Sequence, residues 1–354
     1  MPVAGLSEKD IELLKKLLSA RGVSGDEGEI RSILRKECEA RGASVMTDAL
    51  GSVIARKAKS GARRVVLDAH IDEVGFLIVG ADADGALRYK PVGGIDTRVI
   101  MAKRVLIGKD RLPGVFSVKP IHLASEDEMS NTSKHENLRI DIGANDKAEA
   151  ERLCPPGCTA VFDSAPELFG DGRIVSRALD DRVGCFSLLA ALELDGLPVD
   201  LTCVFAVQEE IGLRGAKAAA QRLQPDMGIA FEGTSANDLG DVASNRRVTE
   251  QGKGVAISFM DGASIGHIGL RKALAECADA HSIPWHMKRG LSGGNDAGAI
   301  QRAYGARPTA VLSVPCRYIH SANSTAALCD IAAARDLAAA FLYDLPKYEG
   351  RVFN

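Results

Sequence analysis

Tryptophan occurs once in 354 residues, and aromatic side chains together make up 5% of the chain. That scarcity argues against the stacked aromatic platforms on which single-stranded nucleic acid is bound. Neither sign of charge is in excess. The 44 Lys and Arg against 47 Asp and Glu leave a formal charge of −3, whereas a nucleic-acid binder carries a basic surplus. No apolar run approaches the roughly 18–20 residues that span a bilayer. The opening Met1-Pro2-Val3-Ala4-Gly5-Leu6 has neither the basic region nor the apolar stretch of a secretory leader. Neither nucleic acid nor membrane is therefore expected as a partner. The eight cysteines read as reduced thiols, and the expected location is cytoplasmic. What remains, 46% hydrophobic and 26% charged residues, is an ordinary globular composition. The length is comfortable for two domains of roughly 100–200 residues each.

The patterning changes twice along the chain. Ser7 with Asp10 three later suggests a helix cap, and Ile11, Leu14 and Leu18 fall on one helical face. A second helix is expected after Ser24, carrying Ile30, Ile33, Leu34 and Cys38, followed by strands at Ser52–Arg56 and Arg64–Ala69. From about Val74 to Phe162 helical periodicity nearly disappears. Short β-rich stretches punctuated by Gly, Pro and Asp take over, as in Phe76–Val79, Val105–Ile107 and Thr159–Phe162. After Ala178 strands and helices alternate again, ending in a helix expected at about Ser324–Leu342. The fold class expected is α/β, a mixed sheet with helices on both faces, with a small β-barrel-like domain inserted. The division expected is residues 1–73 and 164–354 as one catalytic domain and 74–163 as the insert.

Open α/β sheets bind ligands beyond the carboxyl ends of their strands. His70 and Asp72 follow the apolar run Val65–Ala69, Glu209 and Glu210 follow Leu201–Val207, and Glu232 follows Gly228–Phe231. His320 comes six residues after Val314, and Asp180-Asp181 sits just before a helix. Each has a bland reading alone: His-x-Asp arises by chance, an acidic pair closes many solvated turns, and Asp caps helices. Together they would gather two imidazoles and several carboxylates on one rim. That donor set suits Zn2+, Co2+ or Mn2+. Carboxylates so crowded would repel one another without cations between them.

Four segments then carry a resemblance: Asp68-Ala69-His70-Ile71-Asp72-Glu73-Val74-Gly75, Ala178-Leu179-Asp180-Asp181-Arg182-Val183-Gly184, Gln208-Glu209-Glu210-Ile211-Gly212-Leu213-Arg214-Gly215 and Pro315-Cys316-Arg317-Tyr318-Ile319-His320-Ser321. In order and over nearly the whole chain they resemble the tetrahedral (TET-type) metallo-aminopeptidases, a family that includes glutamyl and deblocking aminopeptidases and the so-called cellulase M. Lys119-Pro120-Ile121-His122-Leu123 and Gly293-Gly294-Asn295-Asp296-Ala297 add to the match.

The resemblance implies two divalent cations, Zn2+ first with Co2+ or Mn2+ open. His70 and Glu232 would hold one, Glu210 and His320 the other, with Asp180 bridging. It implies Glu209 as general base and acid, Asp72 orienting the His70 ring and a cis Asp180–Asp181 peptide, while Asp296 reads either as a substrate-pocket residue or as part of a structural turn. The implied substrates are peptides with a free N-terminus, and the insert would build dimers that can assemble into a tetrahedral dodecamer. Glu232 stands where many members carry Asp, Asn295 where Thr is frequent, and Ser324 where an acid is often found. Two other activities compete. One is an N-acyl-amino-acid deacylase on the same metal core. The other is an endoglucanase-type glycosidase, which needs two facing carboxylates but neither the histidines nor the bridge. Cys154-Pro155-Pro156-Gly157-Cys158 could be half a zinc site, but with no second cysteine pair near it a structural role is expected.

Overall fold

The strand Arg64–His70 presents its two faces to two different layers. Val65, Leu67 and Ala69 join a large core with the helices Glu8–Ser19, Leu179–Ala191, Ile268–Ala280 and Leu328–Val352. Val66, one residue out of phase, packs with Ile54 and Val204 against Ala216, Ala219 and Ala220 of the helix Arg214–Leu223 and Ile300 of Asp296–Gln301. Alternation with period two thus puts helices on both sides of the sheet. This is a computed structural model, and it describes residues 5–240, 242–291 and 293–353. Met1–Ala4, where a leader would begin, lie outside the described residues. Among the described residues no helix is long and apolar enough to cross a membrane.

Among the described residues the sheet has eleven strands. Its centre is parallel and ordered Asp200–Ala206, Arg64–His70, Met227–Ser235, Thr309–Arg317. Antiparallel strands flank it: Val53–Lys57 on one side, Ser324–Ala327 and Arg173–Ser176 on the other. The four parallel strands end on the same rim. Register sets Ala206 beside His70, so the turn after Ala206 opens next to that imidazole.

Between Glu73 and Asp163 the chain leaves the sheet and forms a closed barrel of six strands, from Gly75–Ala81 to Thr159–Phe162. Four aromatic rings meet in its core. The Phe76 ring meets Tyr89, Phe116 and Phe162 edge-on at 4.7–5.3 Å between centroids, a favoured geometry for such pairs. The α/β layers with an inserted small β barrel are thus as the sequence indicated.

Local caps follow the sequence where polar groups dictate them. Ser7 Oγ accepts from the Asp10 backbone N–H and the Asp10 carboxylate accepts from Ser7 N–H, a capping box. Element ends differ from expectation in places. Ser324–Ala327 is a strand, and the last helix is Leu328–Val352. The segment Ser-Thr-Ala-Ala has no strong local preference, and pairing with Arg317 and with Arg173–Ser176 decides it. The helix expected from Arg182 is entered at Leu179, with non-helical dihedrals at Asp180 and Asp181 and a cis peptide between them.

Candidate metal centre

Every implied ligand reaches the rim by a different route. His70 ends its strand and is 1% exposed. Its Nδ1 is 3.0 Å from the backbone oxygen of Asp72, and donating there leaves Nε2 free to face the site. Nε2 lies 3.4 Å from Asp180 Oδ1 and 3.7 Å from Glu232 Oε2. Across Asp180, His320 Nε2 is 3.7 Å from Oδ2 and 3.2 Å from Glu210 Oε1. Donor atoms of His70, Asp180 and Glu232 lie within 4.8 Å of one another, as do those of Asp180, Glu210 and His320. Asp180 is common to both trios.

Glu232 lies inside the strand Met227–Ser235, which runs further than its apolar start suggested. Asp180 is aimed by Gly233, whose N–H donates to Oδ1 at 3.0 Å. A side chain at Gly233 would sit 2.8 Å from Asp180 Cβ, so the approach needs glycine. Behind the turn, Arg177 donates to Glu73, and Arg182 lies 3.6 Å from the same carboxylate while donating to Leu17 O at 3.0 Å. These buried arginines hold the chain on both sides of Asp180-Asp181 to the last residue before the barrel.

Asp72 acts in a way that the sequence did not indicate. Its carboxylate is 3.6 Å from His70 Nδ1, further than its own backbone oxygen. It accepts from the backbone N–H of Glu209 at 2.9 Å, from that of Glu210 at 3.2 Å and from Ser24 Oγ at 2.6 Å. Asp72 therefore fixes the acidic turn as well as bordering the imidazole.

The barrel enters the site directly. His320 Nδ1 is 2.8 Å from the backbone oxygen of Gly94, in the loop after the barrel strand Leu87–Val92. That bond selects the tautomer with Nε2 free. Gly93 beside it has φ +78°, and a Cβ there would be 3.3 Å from Glu210 Cβ. Backbone carbonyls leave no mark in a residue pattern, so this contribution was not legible. The loop carrying His320 is braced by Arg317, which donates to Asp238 at 2.6 and 3.0 Å.

The electrostatics call for positive charge. Burial and neighbouring acids raise Glu232 well above the usual carboxylate range. Burial also pushes Glu209 up to about 9, against the pull of His70. Burial works against charged imidazoles, yet the carboxylates around them win. Asp180 and Asp72 raise His70, and Asp180 and Glu210 raise His320 to about 11. Glu232 Oε1 is buried without a hydrogen-bond partner, a costly state for a carboxylate oxygen. Divalent cations would supply the charge, free both imidazoles to ligate and satisfy Glu232, so the residues fit such a group.

A cavity of about 440 Å³ opens onto this floor, with Glu209, Glu210, Asp261, Lys288, Gly293 and Asn295 in its walls. Asp296 is not among the lining residues. It is 1% exposed and interacts with Asp68, and burial raises both carboxyls, Asp68 to about 7. Asn295 lines the cavity in its place; it caps the helix Asp296–Gln301 and so turns the next side chain inward. Asn295 Nδ2 donates to Asp261 at 2.9 Å. Three of the other histidines have structural partners. His135 lies between Tyr89 Oη and Ile95 O, His267 caps Ile268–Ala280, and His286 accepts from Glu250 N–H.

Known proteins resemble this chain over nearly its whole length. A family model described as M42 glutamyl aminopeptidase matches residues 51–337. The chain belongs to that family. It is 33% identical to the lysyl aminopeptidase of Pyrococcus furiosus, over 95% of this chain and 97% of that one. Among solved structures, an aminopeptidase from the archaeon Desulfurococcus kamchatkensis superposes with a TM-score of 0.93 at 33% identity, covering 98% of each chain. The TET1 peptidase of Pyrococcus horikoshii, described as assembling into a tetrahedron or a large octahedral shell, gives 0.84 at 33% identity, covering 95% of this chain and 99% of that one. As a member of the M42 family, the protein is a peptide hydrolase, a metal-dependent aminopeptidase.

Proposed function

We propose that this M42 peptidase holds two divalent cations, Zn2+ first with Co2+ or Mn2+ as alternatives, and releases N-terminal residues from peptides with a free α-amine. The observation that carries this is one carboxylate, Asp180, shared by two donor trios. His70 and Glu232 would hold one cation and Glu210 and His320 the other, with Asp180 between. When bound, the cations supply Lewis acidity toward the scissile carbonyl and the attacking water. Glu209 takes the proton of that water and delivers it to the leaving amine, and positive charge beside it would draw its affinity for protons toward neutrality. Asp72 holds the Glu209 backbone in place, and Gly94 keeps His320 in its ligating tautomer. The floor's surplus of carboxylates suits the α-ammonium of a substrate and would limit cleavage to one residue at a time. Metal-stripped protein should be inactive and recover with Zn2+, Co2+ or Mn2+ on free-amine peptides. Activity on N-acylated substrates alone would mark the deacylase, and chelator-resistant cleavage of glycosides the endoglucanase.

The cavity also points to a preferred side chain. Its two charged wall residues away from the floor are unequal. Asp261 is spent on its own loop, accepting from Ala263 and Ser264 N–H at 2.7 Å and from Asn295 at 2.9 Å. Lys288, at the end of the strand Trp285–Lys288, has no ion-pair partner among the described residues. A free ammonium in the wall favours an acidic first residue. N-terminal Glu and Asp should be cleaved faster than Lys, and Lys288→Glu should reverse the order by at least ~10-fold in kcat/KM, about 1.4 kcal/mol. An unchanged order in a panel of aminoacyl substrates would remove Lys288 from the pocket.

We further propose that residues 74–163 are the dimerisation domain and that dimers assemble into a tetrahedral dodecamer in the cytoplasm, where eight free cysteines stay reduced. Ile121 and Leu123 of this segment are 76% and 62% exposed, with Val118 and Met129 close in sequence and also exposed. Exposed apolar side chains grouped this way mark interaction surfaces. Light scattering should find a multiple of the 37.4 kDa chain mass, and Ile121→Asp with Leu123→Asp should shift it to smaller species. A monomer at all concentrations would reject the assembly.

A further inference from the structure

A second group of donors lies outside the cavity. Cys277 and His281 are four residues apart at the C-terminal end of the helix Ile268–Ala280, so they share one face. Asp344 faces them from the long last helix, Leu328–Val352. One donor atom from each of the three lies within 4.8 Å of the others. His281 Nε2 is 3.0 Å from Asp344 Oδ2. The other carboxylate oxygen, Oδ1, accepts from Lys347 Nζ at 2.6 Å. The carboxylate is thereby held in orientation with Oδ2 turned toward the imidazole. Such outer hydrogen bonds are what aim metal ligands elsewhere.

A His–Asp ion pair tying two helices accounts for two of these residues and core packing for the third, yet neither requires the sulfur to lie within reach of both the imidazole and the carboxylate. Cys277 is buried and supplies a soft donor beside two harder ones. Bonds of about 2.0–2.3 Å to S, N and O let a single Zn2+ or Co2+ reach three donors so spaced. The His281 side chain is 31% exposed, so solvent can provide a fourth ligand. None of the three residues lines the cavity over the strand ends.

We propose that Cys277, His281 and Asp344 form a separate structural site for one thiophilic divalent cation, joining the end of Ile268–Ala280 to the last helix. Binding breaks the Cys277 S–H bond, releases that proton to solvent and forms a thiolate–metal bond, and nothing is oxidised or reduced. The cation would stabilise the folded chain by mass action without taking part in the peptidase reaction.

Cobalt separates this site from the peptidase centre, because the donors there are nitrogen and oxygen only. Co2+ titrated into the metal-stripped full-length protein should produce a near-ultraviolet thiolate-to-cobalt charge-transfer band. Cys277→Ser should abolish the band and bind one equivalent fewer than the parent while retaining peptidase activity. His281→Gln, at a partly exposed position that should tolerate the change, keeps the thiol and should need at least ~10-fold more Co2+ to reach half the band's intensity. Absence of the band in the parent, its survival in Cys277→Ser, or an unchanged titration of His281→Gln would each overturn the assignment.

Discussion

Glu209→Gln should keep its metal and lose about 10²–10⁴ of its turnover, the usual cost of removing a general base. The two side chains have nearly the same shape, and the backbone of residue 209 is anchored independently by Asp72 Oδ1 at 2.9 Å. The substitution therefore removes the proton acceptor without moving the turn. Glu209 lies outside both trios that share Asp180, although its carboxylate also approaches His70 and Glu210. Metal analysis beside kcat separates the two roles. Full metal content with depressed kcat marks a base, loss of metal marks a ligand, and near-normal kcat with full metal removes Glu209 from the reaction.

Asp180→Ala should disturb both cations, whereas His320→Ala should release mainly one. Asp180 Oδ1 faces His70 and Oδ2 faces His320, so its removal takes a donor from each trio at once. It also leaves His70, Glu232, Glu210 and Glu209 crowded without a bridge, a buried arrangement that only protons could then neutralise. His320 stands on one side of the site, and its loss leaves the His70–Asp180–Glu232 trio whole. Elemental analysis of the purified variants reads this directly. Retention of two equivalents by Asp180→Ala would reject the bridge, and loss of both by His320→Ala would show that the trios are not separable.

The rim of the sheet was legible because apolar runs in its central strands give way to ionisable residues. Val65–Ala69 before His70 and Leu201–Val207 before Glu209 are patterns that burial imposes on a parallel sheet. The barrel was legible as a change of period. The unreadable parts share a physical cause, which is that they depend on long-range partners. The strand Ser324–Ala327 is set by pairing with Arg173–Ser176 across a long stretch of chain, not by its own propensity. Gly94 contributes a carbonyl, which any residue possesses. Asp68 and Asp296 look like ordinary acids in sequence, and only the fold brings them together in the interior. Lys288 gains meaning from the cavity it borders. Asp72 was marked by the His-x-Asp spacing, but its hold on the Glu209 and Glu210 amides exists only once two strands lie in register.

The insert also takes part in the candidate metal centre. His320 takes its tautomer from Gly94, and Gly93 leaves room for Glu210. The sheet supplies the donors, while the barrel's Gly93–Gly94 loop positions two of them. Excising residues 73–163 would remove that loop, so a trimmed chain is expected to lose the positioning of His320.

The central claim is a pair of cations bridged by Asp180, and anomalous diffraction from zinc-loaded crystals at the zinc absorption edge tests it most directly. Two peaks are predicted at the ends of the parallel strands, one in contact with His70 and Glu232 and the other with Glu210 and His320, both touching the Asp180 carboxylate. A single peak there at full zinc loading, or two peaks of which either lies beyond reach of Asp180, would contradict it.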